Sequence, residues 1–173
     1  MYTSPYANFP ADAENMVEVT DADDQPLLLM DKDLAHVQDV PHRWVLAAFY
    51  DRLGHLWLRR VVLPKIEEPV WDFSVRAHVP AGEARESTVE RLLAQEFGIT
   101  GVQPVLRAVF PALEGEGARH FSLFTAGRRG MQAASAAGNG IFLDRDELAG
   151  LAEHFPSLLH PDLLWCMRKG YLK

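Results

Sequence analysis

The residue that raises the clearest chemical question is a glutamate near the end of a predicted helix. Apolar residues recur at helical spacing from Arg85 to Phe97, and Gly98 follows at the position of a C-cap. Glu96 falls within the apolar sector of this helix. A carboxylate on a buried face is costly unless it is paired, hydrogen-bonded or bound to a metal. Glu96 is therefore a candidate metal ligand, and the alternative is that the last turn of the helix emerges into water.

A second group of carboxylates contains the residue type of a calcium site but not the sequence pattern of one. Asp21, Asp23 and Asp24 lie close together between two short predicted strands. A calcium loop of the EF-hand type needs about 12 residues, a glycine at its sharp turn and a glutamate at its end. The sequence around these aspartates lacks that pattern, so we predict a turn.

Strand-like segments must position the helix and any site beside it. Their apolar patterns predict strands at Met16–Thr20, Leu27–Met30, Trp44–Tyr50, Leu56–Val62, Trp71–Val79, Val102–Phe110, Arg119–Ala126 and Ile141–Leu143. The turn at Asp51–Gly54 makes a hairpin of the third and fourth. Two further helices are predicted at Asp144–His154 and Pro161–Tyr171. A mixed sheet with few helices predicts an α+β sandwich.

Length and composition are those of one domain. The chain has 173 residues, of which 48% are hydrophobic, enough for a proper core. Residues 1–14 are polar and predict a flexible arm before a domain over 15–173. The single cysteine, Cys166, excludes an intramolecular disulfide, and we expect a buried, inert thiol. Because neither a membrane-spanning run nor a signal peptide is apparent, we predict a cytoplasmic protein.

The net charge limits the kinds of partner. At −7 it disfavours nucleic acid and anionic membranes, which bind basic surfaces. A small phosphorylated molecule needs only a local basic pocket and remains compatible with this charge. A homodimer is a reasonable expectation, because cyclic dimers are the commonest oligomers.

The charged residues around the helix resemble the Nudix box. Glu83, Arg91, Glu96 and Gly98 occur in the order and at the separations of that motif, a loop–helix–loop that holds Mg²⁺ or Mn²⁺ on a substrate diphosphate. The first glycine and two glutamates of the motif are replaced by Ala77, Leu92 and Gln95. The resemblance implies a Nudix-type α/β/α sandwich, a mixed β-sheet flanked by helices. The lost carboxylates argue against an ordinary Nudix hydrolase.

About half of the chain is similar to one branch of that superfamily, the type 1 isopentenyl-diphosphate isomerases. The similar segments are VEVTDADDQPLLLMDKDLAHVQDVPHRW, WDFSVRAHVPAGE and ERLLAQEFGI. That branch also lacks the glutamates of the box and adds a histidine-rich metal site. The resemblance implies that His36, His42, His78 and Glu96 bind a divalent metal, with Mg²⁺ or Mn²⁺ expected. Imidazoles from separate segments make a sensible first-row metal site.

The same resemblance implies where a diphosphate would bind. Arg60 and Lys65 fall near the basic residues that grip the diphosphate in the family, and a loop carrying both could clamp phosphate oxygens. Trp71 begins the strand that leads to His78 and is a candidate pocket wall.

The chain departs from the isomerases at the reacting groups. Arg76 stands where the family has its catalytic cysteine, and an arginine stays protonated at ordinary pH. Arg76 could instead bind an anion, or it could be an ordinary exposed strand residue. The family's Glu-Asn-Glu corresponds either to Glu114 and Glu116 or, in another alignment, to Gly117 and Arg119. His120 could supply a replacement metal ligand if its strand lines the pocket.

Three functions remain open at this point. The first is a divalent-metal-dependent enzyme that acts on a small diphosphate compound by hydrolysis or an unusual isomerase-like step. Standard isopentenyl-diphosphate isomerisation is not expected, because the catalytic thiol is absent. The second is a non-catalytic protein that binds a diphosphate or another anion. The third is a protein-interaction module that reuses the fold.

Overall fold

The computed structural model describes residues 13–63, 68–110, 119–126 and 138–172 of the chain. These residues form a nine-stranded mixed sheet with helices beside it. The strands are β1 (Met16–Thr20), β2 (Pro26–Asp31), β3 (His42–Tyr50), β4 (Leu56–Val61), β5 (Val70–Asp72), β6 (Val75–His78), β7 (Val105–Phe110), β8 (Arg119–Ala126) and β9 (Gly140–Leu143). The helices are α1 (Lys32–Val37), α2 (Arg85–Phe97), α3 (Arg145–His154) and α4 (Pro161–Arg168). Short 3-10 turns lie at Ala13–Asn15 and Pro156–Leu158.

Strand β3 is the centre of the sheet. It pairs in parallel with β8 along its length and antiparallel with β6 over residues 44–47. The predicted hairpin of β3 and β4 is present only at its turn, where Phe49 pairs with Trp57 and Tyr50 with Leu56. Strand β4 also pairs with β9 over residues 56–59 and with β5 over residues 59–61. A strand with neighbours on both edges and covered faces is apolar throughout, which explains the uninterrupted apolar run in this segment.

The two faces of β3 carry separate hydrophobic clusters. Trp44 and Leu46 face a cluster that includes Leu163 of α4, whereas Val45 and Ala47 face a cluster built on α2. The alternation follows from the two-residue period of a strand. Helices therefore cover both sides of the sheet, and the α+β sandwich predicted from the sequence is confirmed.

Helix α2 has the bounds that its sequence predicts. It ends at Gly98, whose φ of 65° is in the left-handed region and whose N–H donates to the carbonyl of Ala94. The N–H of Ile99 donates to Leu93, which completes a glycine-terminated C-cap. Val89 and Leu93 are buried against the sheet. This packing holds the end of the helix, and with it Glu96, beside β4.

Two local features differ from the sequence predictions. The short helix α1 was not predicted, and it forms because the Asp31 carboxylate accepts from the N–H groups of Asp33 and Leu34. The single strand predicted at Trp71–Val79 is divided into β5 and β6. At the division the Asp72 carboxylate accepts from the N–H of Phe73, and the Ser74 hydroxyl donates to the carbonyl of Trp57.

Most of the predicted arm over residues 1–14 lies outside the described residues, so the domain boundary stays a prediction. Of the helices in the described ranges, none combines the length and the apolar character that crossing a bilayer requires.

Gly140 provides a test of the packing between β9 and β4. A Cβ atom there would lie 2.2 Å from the ring of Trp57, a side chain that is 1% exposed and has no room to move. We expect Gly140→Ala to lower the free energy of unfolding by about 1–3 kcal/mol, measured by urea denaturation. Gly150 lies in helix α3 with open space around it, so Gly150→Ala should be neutral or stabilising. Equal stabilities of the two variants would contradict the close approach of Gly140 to Trp57.

Candidate functional site

Three histidines from separate elements converge at one end of the sheet. His36 lies in α1, His42 opens β3 and His78 ends β6. The Nε2 atoms of His36 and His78 are 2.9 Å apart, and Nε2 of His42 is 3.1 Å from Nδ1 of His78. One ligand atom from each histidine lies within 4.8 Å of the others, a spacing that could hold a metal ion. His42 is buried and His36 is exposed, so the site opens to solvent on the side of α1.

The hydrogen bonds of His42 define which of its nitrogens can bind a ligand. Nδ1 lies 2.7 Å from the carbonyl of Val40, which can only accept, so Nδ1 carries the proton. The indole N–H of Trp44 donates to Nε2 at 2.9 Å, so the lone pair of Nε2 is engaged in this hydrogen bond. The bond of Nδ1 to a backbone carbonyl is the kind that orients metal-binding histidines, but a metal ion would have to displace the indole N–H to reach Nε2.

Burial keeps these imidazoles neutral. It is the largest cause of the lowered pKa of each of the three. Burial and the neighbouring histidines together bring the pKa of His78 from 6.5 to about 3, because two imidazolium ions so close would repel each other. A metal ion binds neutral imidazole, so at neutral pH these side chains have no proton to lose before binding.

Trp44 lies at the centre of the cluster. Its ring centroid is 3.9 Å from that of His78, 5.3 Å from His36 and 5.7 Å from His42. The guanidinium carbons of Arg76 and Arg119 lie 4.7 and 5.2 Å from the same ring centroid. The indole therefore contacts both the imidazoles and the two cations.

A buried ion-pair network lies next to this tryptophan. The carboxylate of Asp162, in the first turn of α4, is 4% exposed and accepts from Nε of Arg76 at 3.0 Å and from a closer nitrogen of the same guanidinium. Arg119 reaches the same carboxylate at 3.3 Å. Asp72 lies 3.9 Å from Arg76, and burial raises its pKa to about 6. From the sequence, Arg76 is a residue that could bind an anionic ligand. Its guanidinium is already paired with a carboxylate of its own chain.

Glu96 is placed away from the histidine group. Its carboxylate accepts from Arg59 at 2.6 Å, and its side chain is 33% exposed. Within the part of the chain that the structure describes, the converging ligand group consists of the three histidines and does not include Glu96. In the last turn of α2, Glu96 is partly exposed to solvent and paired with Arg59. This explains how a carboxylate is tolerated near the apolar face of the helix.

The remaining predicted residues are distributed as follows. Arg60 is exposed, with its guanidinium carbon 5.9 Å from the centroid of the half-buried Trp71 ring. His120 is 2% exposed and bonds through Nε2 to the carbonyl of Asp21, and it pairs across the sheet with Arg43 instead of joining the histidine group. The predicted residues that lie outside the described ranges are Lys65, Glu114, Glu116 and Gly117.

Solved structures with a similar fold are known. The crystal structure of DR0079 from Deinococcus radiodurans superposes with a TM-score of 0.70 at 17% sequence identity, covering 89% of this chain and 98% of that one. A MutT/nudix family protein from Listeria innocua gives a TM-score of 0.51 at 19% identity, covering 75% of this chain and 90% of that one. No protein-family model matches the sequence, and no curated protein matches it.

The chain has the Nudix fold. Sequence identities this low establish the architecture alone, so the chemistry has to be argued from the residues of this chain. On this Nudix fold the histidines share the face of β3 that carries Trp44, and helix α2 packs on the other face, with Val45 and Ala47.

Sequence reasoning missed two members of the site, Asp162 and His160. His160 caps α4 by accepting from the N–H of Asp162, and both side chains are buried. The sequence did contain a signal for them, because His160 and Asp162 flank Pro161 at the start of the helix. The other inward positions of this helix are apolar. A polar residue at such a position needs a partner in the interior, and Arg76 supplies it.

His78 and His160 make the stability of the domain depend on pH. In metal-free protein we expect the free energy of unfolding to fall as the pH is lowered from about 6.5 towards about 4. Unfolded imidazoles take up protons near pH 6.5, whereas folded His78 and His160 resist protonation down to about 3 and about 4. Asp72 opposes this trend, because its raised pKa of about 6 favours the folded state as the pH falls. His78→Gln should flatten this dependence, measured by urea denaturation from pH 7 to pH 5, and an unchanged slope would contradict the neutral state of the half-buried His78.

Proposed function

We propose that the chain binds a divalent first-row metal ion through His36, His42 and His78 and uses it to act on a small diphosphate-bearing molecule. The observation that carries this proposal is the convergence of three neutral imidazoles within 4.8 Å. Three histidine ligands that leave a further coordination position are typical of catalytic metal sites. Such an ion polarises a phosphoryl oxygen and acidifies water.

The donor set favours particular metals. Imidazole nitrogens suit Zn²⁺, Mn²⁺ and similar first-row ions, whereas Mg²⁺ prefers oxygen ligands. Mn²⁺ is therefore a better candidate than Mg²⁺ for the histidine group. Glu96 is proposed to help hold a metal on the diphosphate. Because Glu96 lies on the α2 side of the sheet, that ion would be separate from the histidine-bound one, and the carboxylate would have to exchange its bond with Arg59.

Hydrolysis is favoured over isomerisation by the residues around the histidines. Isomerisation needs two acid–base groups on opposite sides of a double bond, and Arg76 occupies the position of one of them. Its guanidinium is engaged by Asp162 and stays charged, so it cannot exchange a proton with a substrate. Arg60, Lys65 and Trp71 are proposed to contact the diphosphate.

A specific observation supports a binding function without turnover. Among the described residues, the converging ligand group contains no carboxylate that could serve as a general base. A protein that binds metal and inorganic diphosphate but releases no phosphate from a panel of nucleoside and isoprenoid diphosphates would be a carrier or sensor. Phosphate release that depends on His78 would make it a hydrolase.

The metal site is tested by removing one imidazole. We expect His78→Ala to reduce bound metal from near one ion per chain to a negligible amount, because His78 contacts both other histidines. Metal content after dialysis against Mn²⁺ or Zn²⁺ and calorimetric titration measure this.

His154→Ala is the matched control, since His154 is an exposed residue at the end of α3. Circular dichroism verifies that both variants are folded. Equal, negligible metal in wild type and His78→Ala would rule out the site.

A further inference from the structure

We propose that Arg119 is the specificity-determining residue of the three-histidine site and binds the anionic group of its ligand. The inference rests on the proposed metal site and adds the residue that selects an anionic ligand.

The position of Arg119 is set by the sheet. It opens β8 and pairs directly with His42 in the parallel β3–β8 ladder, so both side chains leave the same face. Its guanidinium carbon lies 5.2 Å from the centroid of the Trp44 ring, which in turn contacts the three histidines. Its charge also contributes to the lowered pKa of His36 and of His42, as a nearby cation should.

Arg119 makes longer hydrogen bonds to Asp162 than Arg76 does. Both arginines donate to Asp162, but Arg76 does so through Nε at 3.0 Å and through a still shorter bond from its second nitrogen. Arg119 reaches the two carboxylate oxygens at 3.3 and 3.5 Å from a single nitrogen. Its side chain is 22% exposed, against 14% for Arg76. The guanidinium of Arg119 can therefore turn to a ligand while Asp162 remains paired.

The charges around the site favour an anionic ligand once a metal is bound. Asp162 balances one of the two arginines, and Asp72 balances the other above its pKa of about 6. The histidines are neutral, so the charge of a divalent ion would have no carboxylate to balance it within the described ligand group. A ligand with anionic oxygens on adjacent atoms can bind the metal and accept a forked pair of hydrogen bonds from an arginine.

Arg119→Met tests the proposal, because methionine retains much of the apolar stem and removes the charge. Mn²⁺ alone is titrated first, and inorganic diphosphate is then titrated with and without Mn²⁺. We expect Arg119→Met to weaken metal-dependent diphosphate binding about tenfold or more, the usual value of a hydrogen bond to a charged group. Affinity for Mn²⁺ should be unchanged or higher, because a nearby cation has been removed.

Two further variants make the result specific. Arg119→Lys keeps the charge but loses the planar fork, so it should restore part of the affinity. Arg107→Met is the control, because Arg107 is an exposed arginine of β7 that donates to Thr125, at the end of β8 opposite to Arg119. It should leave the Mn²⁺ and the diphosphate titrations unchanged. Titration with oxalate in place of diphosphate distinguishes a preference for phosphoryl oxygens from binding of any paired anionic oxygens.

The outcomes separate this inference from the proposed function. Normal Mn²⁺ binding with equal diphosphate affinity in wild type and Arg119→Met would overturn the role of Arg119 and leave the metal site intact. Joint loss of Mn²⁺ and diphosphate binding in Arg119→Met would also overturn it, since Arg119 would then only support the histidines. Wild-type protein that binds no metal would refute both.

Discussion

The pairing of β3 on both of its edges is the constraint on which the site depends. Its register with β6 sets His78 opposite Trp44 and Arg76 opposite Leu46, and its register with β8 sets Arg119 opposite His42. A shift of one residue in either ladder would turn these side chains to the other face of the sheet. The site is therefore specified by the same apolar pattern that buries β3.

Burying this many polar groups requires that they satisfy one another. The imidazoles do so by remaining neutral and by bonding in sequence from His36 through His78 to His42 and on to the carbonyl of Val40. The guanidinium of Arg76 is instead neutralised by the buried carboxylate of Asp162. Trp44 contacts both groups, the neutral imidazoles and the charged guanidinium groups of Arg76 and Arg119.

Much of this fold could be predicted from the sequence, and the reasons are local. Helix α2 and strands β1 and β8 have strong periodicity and clear ends, and their bounds agree with the predictions. Helix α1 could not be predicted from periodicity because its six residues are too few, although it carries His36. The pairing of Arg76 with Asp162 joins residues far apart in sequence and depends on how α4 packs on the sheet, which local patterns do not contain.

The charged residues at the start of α2 stabilise the fold. Glu83 accepts from Arg91 at 2.8 and 2.9 Å and from the hydroxyl of Thr88, so it fastens the loop before α2 to the helix. Leu92 packs against the hydrophobic cluster of that face. Because Leu92 is apolar and Gln95 is neutral, neither position offers a carboxylate to a metal ion. Among the described residues, the three histidines on the other face of β3 are the group whose spacing could hold a metal ion.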